Sequence, residues 1–145
     1  MDELIKAIKK ARFVFVCGNG GSAATAEHFT NDLFSKGVKA FCLNSNVSLI
    51  TMIANDFGYQ YIFSRQLDLY AGKDDLLIVI SGSGNSENIL EALIPISGFK
   101  TFALLGMGGG KAIEMADDSI LIDSDNYGII EDKHMEIVHR AKDLL

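Results

Sequence analysis

The sequence has little cysteine and proline and no tryptophan: two Cys, one Pro and no Trp among 145 residues. Cys17 and Cys42 lie in apolar runs without a CxxC spacing, which argues against a redox motif or a zinc knuckle and predicts two reduced core thiols. Apolar runs of the roughly 18 residues that a membrane span needs are also missing, and no secretory signal follows Met1. We therefore expect a cytoplasmic protein with no membrane partner.

Clustered basic charge is missing as well. The chain has 13 Lys and Arg against 19 Asp and Glu, a net charge of -6, and its basic residues are scattered. A nucleic-acid backbone requires a basic stripe, so we expect no nucleic-acid partner. A small anion can still bind, because backbone N–H groups at helix starts supply local positive potential.

The apolar content is sufficient for a buried core. Hydrophobic residues make up 48% of the chain, and the length fits a single domain over residues 1–145. Continuous apolar runs predict five buried strands at 13–17, 40–43, 76–80, 101–105 and 119–122. The stretches around them predict helices at 2–11, 21–36, 47–55, 61–71, 87–96, 111–116 and 128–145. This alternation predicts a doubly wound, three-layer α/β/α fold with a five-stranded parallel sheet.

Two loops dense in Gly, Ser and Asn follow strands, where open parallel sheets bind ligands. The first, GNGGS at 18–22, matches neither the GxGxxG fingerprint nor the P-loop, and taken alone it fits a tight turn with Ser22 as helix N-cap equally well. The second, SGSGNS at 81–86, has three hydroxyls on a glycine-rich turn that opens a helix. Capping needs only one of those hydroxyls, so the second loop predicts a phosphate site.

Four blocks of the sequence resemble the phosphoheptose isomerases of the sugar isomerase (SIS) domain superfamily. They are GNGGSAATAEHF, IANDFGYQYIFSRQL, SGSGNSENIL and HMEIVH, and the resemblance runs from about residue 12 to residue 145. It implies a flavodoxin-like SIS fold and a homo-oligomer, a dimer or more usually a tetramer with active sites at subunit interfaces. It also implies conversion of sedoheptulose 7-phosphate to a heptose 7-phosphate aldose, with one zinc ion per active site.

By position, the resemblance assigns substrate binding to a set of residues in three of these blocks and on the last predicted helix. They are Asn19, Gly20, Ser22, Asp56, Ser81, Gly82, Ser83, Asn85, Ser86 and Glu131. Within this set the three serines of the second loop would hold the phosphate. Asn19 and Ser22 would contact the sugar near its carbonyl and hydroxyls, with Asp56 contributing.

Aldose-ketose isomerisation needs a base beside the substrate and a group that polarises the carbonyl. His28 and Asp32 are four residues apart and share a helix face, which fits half of a metal site but is more often a surface hydrogen-bonded pair. The resemblance places metal ligands at His28, Asp32, Glu131 and His139, and acid-base catalysis at Asp32 and His139. Another histidine, His134, is expected to lie in the core or on the surface without a catalytic role.

Glu131 and His139 are eight residues apart, about 12 Å along a helix. One ion can meet both only if Glu131 lies at a bent helix start or if two subunits contribute. The sequence also departs from the family: Asp32 replaces a Glu, Glu131 replaces a Gln, and Lys36 stands where an Arg is common. The chain begins almost directly at the helix before the first strand, where the family usually has a further long helix.

These departures keep two alternatives open. One is a non-catalytic SIS module that binds a sugar phosphate or a protein partner. The other is an isomerase of another SIS branch, acting on a hexulose or arabinose phosphate, which is the weaker alternative because the loops of that branch differ from GNGGS.

Overall fold

Five strands form one parallel sheet in the computed structural model, which describes residues 1–94 and 98–145. They are β1 (Val14–Gly18), β2 (Ala40–Cys42), β3 (Leu76–Ser81), β4 (Lys100–Leu105) and β5 (Asp118–Leu121). Their spatial order is β2-β1-β3-β4-β5, the order of flavodoxin-like folds. β1 and β3 are buried along their whole length, as expected for continuous apolar runs in a sheet covered on both faces.

Helices cover both faces of this sheet in the described residues. They are α1 (Asp2–Lys10), α2 (Gly21–Ser35), α3 (Val47–Asp56), α4 (Ser64–Tyr70), α5 (Glu87–Ala92), α6 (Ala112–Met115) and α7 (Tyr127–Leu144). Successive β1 residues belong to different core clusters: Phe15 packs in a cluster with Phe63 and Ile89, whereas Val16 packs in one with Phe29 and Val138. Because side chains alternate along a strand, the two clusters lie on opposite faces, and the three-layer prediction is confirmed.

The predicted elements agree with the structure to within one or two residues at most ends. There are two exceptions. The helix α4, predicted from residue 61, begins at Ser64, because Tyr59–Tyr61 forms a separate 3-10 turn. The helix α5, predicted to reach residue 96, ends at Ala92, and residues 93–94 are not helical; the predicted positions 95–96 lie outside the described residues. Both cysteines are buried free thiols, and burial raises the pKa of each. None of the described helices is both long and apolar enough to cross a membrane.

The register of the central strands places the two polar loops side by side. β1 and β3 pair in parallel with Gly18 opposite Ile80, so both strands end at the same edge of the sheet. The loop at 18–22 leads from β1 into α2, and the loop at 81–86 leads from β3 into α5. The helix α7 packs on the same face as α2, since Val138 and Phe29 share one core cluster.

Candidate functional site

The side chain of Asn19 in the first loop is fixed by two neighbours. Its amide exchanges two hydrogen bonds with the amide of Asn88, at 2.8 and 2.9 Å, and its Oδ1 also accepts from the Tyr59 hydroxyl at 3.3 Å. These contacts tie the start of α5 and the 3-10 turn to the first loop. Asn88 and Tyr59 are not among the site residues predicted from the sequence, although both lie in blocks that carry the resemblance.

The hydroxyls of the second loop have different roles. Ser81 Oγ accepts a hydrogen bond from the Gly84 N–H at 3.1 Å, and Ser83 Oγ accepts from the Asn85 N–H at 3.3 Å. Ser86 is the N-cap residue of α5, yet its side chain makes no capping bond within the described residues. Its hydroxyl and the first N–H groups of the helix therefore remain available to an anion.

The first turns of α7 lie across both loops. A Cβ on Gly82 would meet the Tyr127 ring at 2.8 Å, and a Cβ on Gly21 would meet the Glu131 carboxylate at 2.5 Å. Glycine at these two positions permits the close approach. Glu131 consequently lies over the start of α2, where the positive end of the helix dipole favours a carboxylate.

Two histidines and an aspartate meet between α2 and α7. His28 Nε2 lies 2.9 Å from His139 Nε2 and 3.4 Å from Asp32 Oδ2. One ligand atom from each of the three residues falls within 4.8 Å of the others. Asp32 is 1% exposed, and its Oδ2 has no hydrogen-bond partner among the described residues. An unpartnered buried carboxylate oxygen beside two imidazole nitrogens is a donor set that suits zinc with an open fourth position.

Asp32 has a partner that sequence analysis did not identify. Lys142 Nζ donates to Asp32 Oδ1 at 2.8 Å, across 110 residues of sequence. A lysine near the end of an amphipathic helix usually indicates a solvated face, so the sequence has no signal for this contact.

Three of the four predicted metal ligands thus come together, and Glu131 lies outside their group in the described residues. The reason is the one that the spacing indicated: α7 runs as one helix from Tyr127 to Leu144, so Glu131 and His139 are separated by about 12 Å along its axis. The carboxylate of Glu131 lies over Gly21 in the first loop instead.

Ser22 does not cap α2, and Asp56 lies on the protein surface. Ser22 is buried inside α2, and the N-cap is Gly20, so the alternative of a turn capped by Ser22 is wrong. The Gly20 backbone has a φ of 57° immediately before α2 begins, a conformation that glycine adopts readily. Asp56 is exposed at the end of α3 and accepts a hydrogen bond from Asn55 at 2.8 Å.

His134 lies in the core, as expected. It is 1% exposed, and its Nε2 lies 3.2 Å from the Leu105 carbonyl oxygen. Burial lowers the pKa of His134, and the hydrogen bond to Leu105 opposes this shift in part.

Comparison with known proteins identifies the family. The SIS domain family pattern matches residues 1–106. A phosphoheptose isomerase from Helicobacter pylori is 38% identical over 144 residues, covering 94% of this chain and 75% of the relative. A probable phosphoheptose isomerase from Thermoplasma acidophilum is also 38% identical, covering 95% of this chain and 80% of the relative. The chain belongs to the phosphoheptose isomerase family of SIS domains.

Solved structures of this family share the fold. A phosphoheptose isomerase from Francisella tularensis superposes with a TM-score of 0.92 at 36% identity, covering 98% of this chain and 82% of that one. The corresponding enzyme from Neisseria gonorrhoeae gives 0.92 at 30% identity, covering 99% and 80%. A Methanococcus jannaschii protein whose structure was taken to indicate a 3-hexulose-6-phosphate isomerase is 23% identical with a TM-score of 0.68, a similarity of fold alone. Within the SIS superfamily, the chain therefore groups with the phosphoheptose isomerases.

Proposed function

We propose that this phosphoheptose isomerase family member interconverts a ketose phosphate and an aldose phosphate, with sedoheptulose 7-phosphate and a heptose 7-phosphate as the pair. The observation that carries the proposal is the group formed by His28, Asp32 and His139 between α2 and α7. It combines two imidazoles with a buried carboxylate oxygen that has no hydrogen-bond partner in the described residues, and such an isomerisation needs groups of these kinds. Curated relatives with 38% identity over nearly the whole chain are named phosphoheptose isomerases.

The proposed reaction moves one proton between neighbouring carbons. The carboxylate of Asp32 accepts the proton from C1 of the ketose, which leaves an enediolate, and the same proton returns to C2 to give the aldose. His139 transfers the second proton between the oxygens on C1 and C2. His28 Nε2, at 2.9 Å from His139 Nε2, orients the His139 imidazole.

The same residues fit a divalent cation, and we propose zinc, held by His28, Asp32 and His139. Their donor atoms are two nitrogens and one carboxylate oxygen within 4.8 Å, and Asp32 Oδ2 is without another partner in the described residues. When bound, zinc would polarise the carbonyl and offset the charge of the enediolate. Glu131 lies outside this group, so we place it with the substrate contacts and regard a metal role for it as requiring a second subunit.

Substrate binding is proposed for the two loops. Ser81, Ser83 and Ser86 would hold the phosphate, with Gly82 and Asn85 allowing backbone contact. This is supported by the unused Ser86 hydroxyl and by the open N–H groups at the start of α5.

The sugar would meet the first loop through Asn19, Gly20 and Ser22, with Asp56 contributing from α3. The support for this assignment is the fixed amide of Asn19. Glu131 over Gly21 would face the same end of the sugar.

We further propose that the protein acts in the cytoplasm as one SIS domain over residues 1–145 and forms a homo-oligomer, a dimer or tetramer. Support for an oligomer comes from large apolar side chains that are exposed in the single chain, among them Phe34 at 78% and Leu69 at 76%. A subunit interface would remove such side chains from water.

A second candidate is a non-catalytic SIS module that binds a sugar phosphate. The observation in its favour is the ion pair of Asp32 with Lys142, because this contact occupies one oxygen of the carboxylate that the isomerisation would use as a base. The two candidates differ in turnover, not in ligand binding.

The deciding experiment follows sedoheptulose 7-phosphate by NMR with purified protein and added zinc. We expect an aldose product from the unaltered protein, loss of turnover in Asp32→Ala and His139→Ala, and retained substrate binding in both by calorimetry. Asp143→Ala, an exposed acid on the same helix as His139, is the matched control and keeps full activity. Binding without turnover across several ketose phosphates would favour the non-catalytic module.

A further inference from the structure

The contact between Lys142 and Asp32 joins the two helices that build the candidate active site. His28 and Asp32 are four residues apart on α2, and His139 and Lys142 are three apart on α7, so each pair lies on one helix face. Lys142 Nζ lies 2.8 Å from Asp32 Oδ1. The side chain of Asp32 is 1% exposed and that of Lys142 is 37% exposed, so the aspartate is buried beneath the lysine.

The two oxygens of Asp32 therefore have different environments. Oδ1 accepts from Lys142, whereas Oδ2 points towards His28 Nε2 at 3.4 Å and has no hydrogen-bond partner in the described residues. The terminal torsion of an aspartate is broad, so a carboxylate without a fixed partner rotates between orientations. A partner on one oxygen sets the direction of the other.

We propose that Lys142 is a positioning residue that orients the Asp32 carboxylate so that Oδ2 alone faces the two histidines. This proposal rests on the proposed function. Lys142 would make Asp32 a one-oxygen ligand, through Oδ2, for a divalent cation held with His28 and His139.

Lys142 has two opposing effects on metal binding. Its positive charge repels a divalent cation, whereas its hydrogen bond holds the ligand oxygen in place. Hydrogen-bonded partners of metal ligands typically contribute a factor of about 10–100 to metal affinity. Because Nζ contacts the oxygen that faces away from the histidines, we expect orientation to outweigh repulsion.

The experiment titrates zinc ion alone into metal-stripped protein by calorimetry, with a competing chelator. Lys142→Met removes the ammonium group and keeps the apolar stem, and we expect it to weaken zinc affinity by about 10–100-fold. Lys142→Arg keeps both charge and donor and is expected to restore most of the affinity. Lys133→Met is the matched control: Lys133 lies on the same helix and pairs with Glu136 at 2.7 Å, away from Asp32. It should leave zinc affinity unchanged.

Thermal melting of each variant separates a binding effect from a folding effect. If Lys142→Met does not fold, Lys142→Gln replaces it, and any loss of zinc affinity in folded Lys142→Gln supports the proposal. Affinity that is equal or higher in the Met or Gln variant means that repulsion dominates and overturns it. A failure of Lys142→Arg to rescue overturns it as well.

The outcome is distinguishable from a failure of the proposed function. If the zinc affinities follow the expected order but no ketose phosphate turns over, the role of Lys142 stands and the isomerase proposal fails. If the unaltered protein binds no zinc, both the metal assignment and the role of Lys142 in metal binding are overturned.

Discussion

At the scale of single residues, the three histidines show how neighbouring positions acquire different chemistry. His134 and His139 are five residues apart on α7, which places them on different sides of the helix. His139 is exposed and meets His28, whereas His134 is buried against the Leu105 carbonyl. Helical spacing from the sequence predicts that the two cannot share a site, but only packing decides which of them faces the core.

His134 should make the stability of the protein depend on pH. Burial lowers its pKa in the folded state below the ordinary value of 6.5, so the unfolded chain binds this proton more readily. Its contribution to stability is present above the unfolded pKa and is lost as the pH falls through that value towards the folded pKa. We expect urea unfolding to show a lower free energy of unfolding at about pH 5.5 than at about pH 7.5.

Replacing His134 removes its titratable imidazole, and the Leu105 carbonyl still has another hydrogen-bond donor. In His134→Leu the Leu105 oxygen still accepts from the Ile122 N–H at 2.8 Å. The loss of unfolding free energy between the two pH values should be smaller in this variant. An equal loss in both proteins would show that other groups control the acid response.

At the scale of elements, the loop at 81–86 (the serine loop) is held in place by a glycine-rich loop at 106–111. The sequence does not indicate this contact. The N–H groups of Ala112 and Lys111 donate to the Gly84 carbonyl at 3.0 Å and to Asn85 Oδ1 at 3.1 Å. This loop follows β4, the strand beside β3. The five strands could be predicted because each is a continuous apolar run, but contacts between loops of different strands leave no periodic pattern in the sequence.

The variant Gly84→Ala tests whether contact with the loop at 106–111 holds the serine loop in place. Gly84 has a φ of 64°, and a Cβ there would overlap the backbone carbonyl of Gly109. The matched control is Gly37→Ala, with a φ of 76° and open space around the added carbon.

We expect Gly37→Ala to lower the free energy of unfolding by about 1 kcal/mol, from backbone conformation alone. Gly84→Ala should lower it by about 3 kcal/mol, because the two loops must also separate. The serine loop would shift with them, so phosphate binding should weaken only in Gly84→Ala. Chemical denaturation and phosphate titration measure the two effects, and equal losses in the two variants would contradict this role of the contact.

At the scale of the whole molecule, the candidate active site depends on α2 and α7 meeting over the sheet. Within the group formed by His28, Asp32 and His139, the His28–Asp32 pair could be predicted from a spacing of four residues on one helix. Its pairing with His139 followed from family resemblance, and its pairing with Lys142 could not be predicted, since it joins positions 110 residues apart. The position of Glu131 over Gly21 likewise depends on how α7 crosses the loops.

Metal binding should therefore stabilise the whole fold. A ligand that binds only the folded protein raises the unfolding free energy by about 2.7 kcal/mol at a concentration 100 times its dissociation constant. We expect zinc to raise the melting temperature of the unaltered protein and a chelator to reverse the rise. Asp32→Ala and His28→Ala should lose this response, and an unchanged zinc response in both would place the ion elsewhere.

The separation of the two helices along the chain also has a consequence for synthesis. As the polypeptide leaves the ribosome from its amino terminus, both polar loops and α2 emerge before α7. The loops that we assign to the sugar phosphate are thus present on the nascent chain before His139 and Lys142, the partners of His28 and Asp32, have been synthesised. The group formed by His28, Asp32 and His139 can therefore assemble only after α7 has been synthesised.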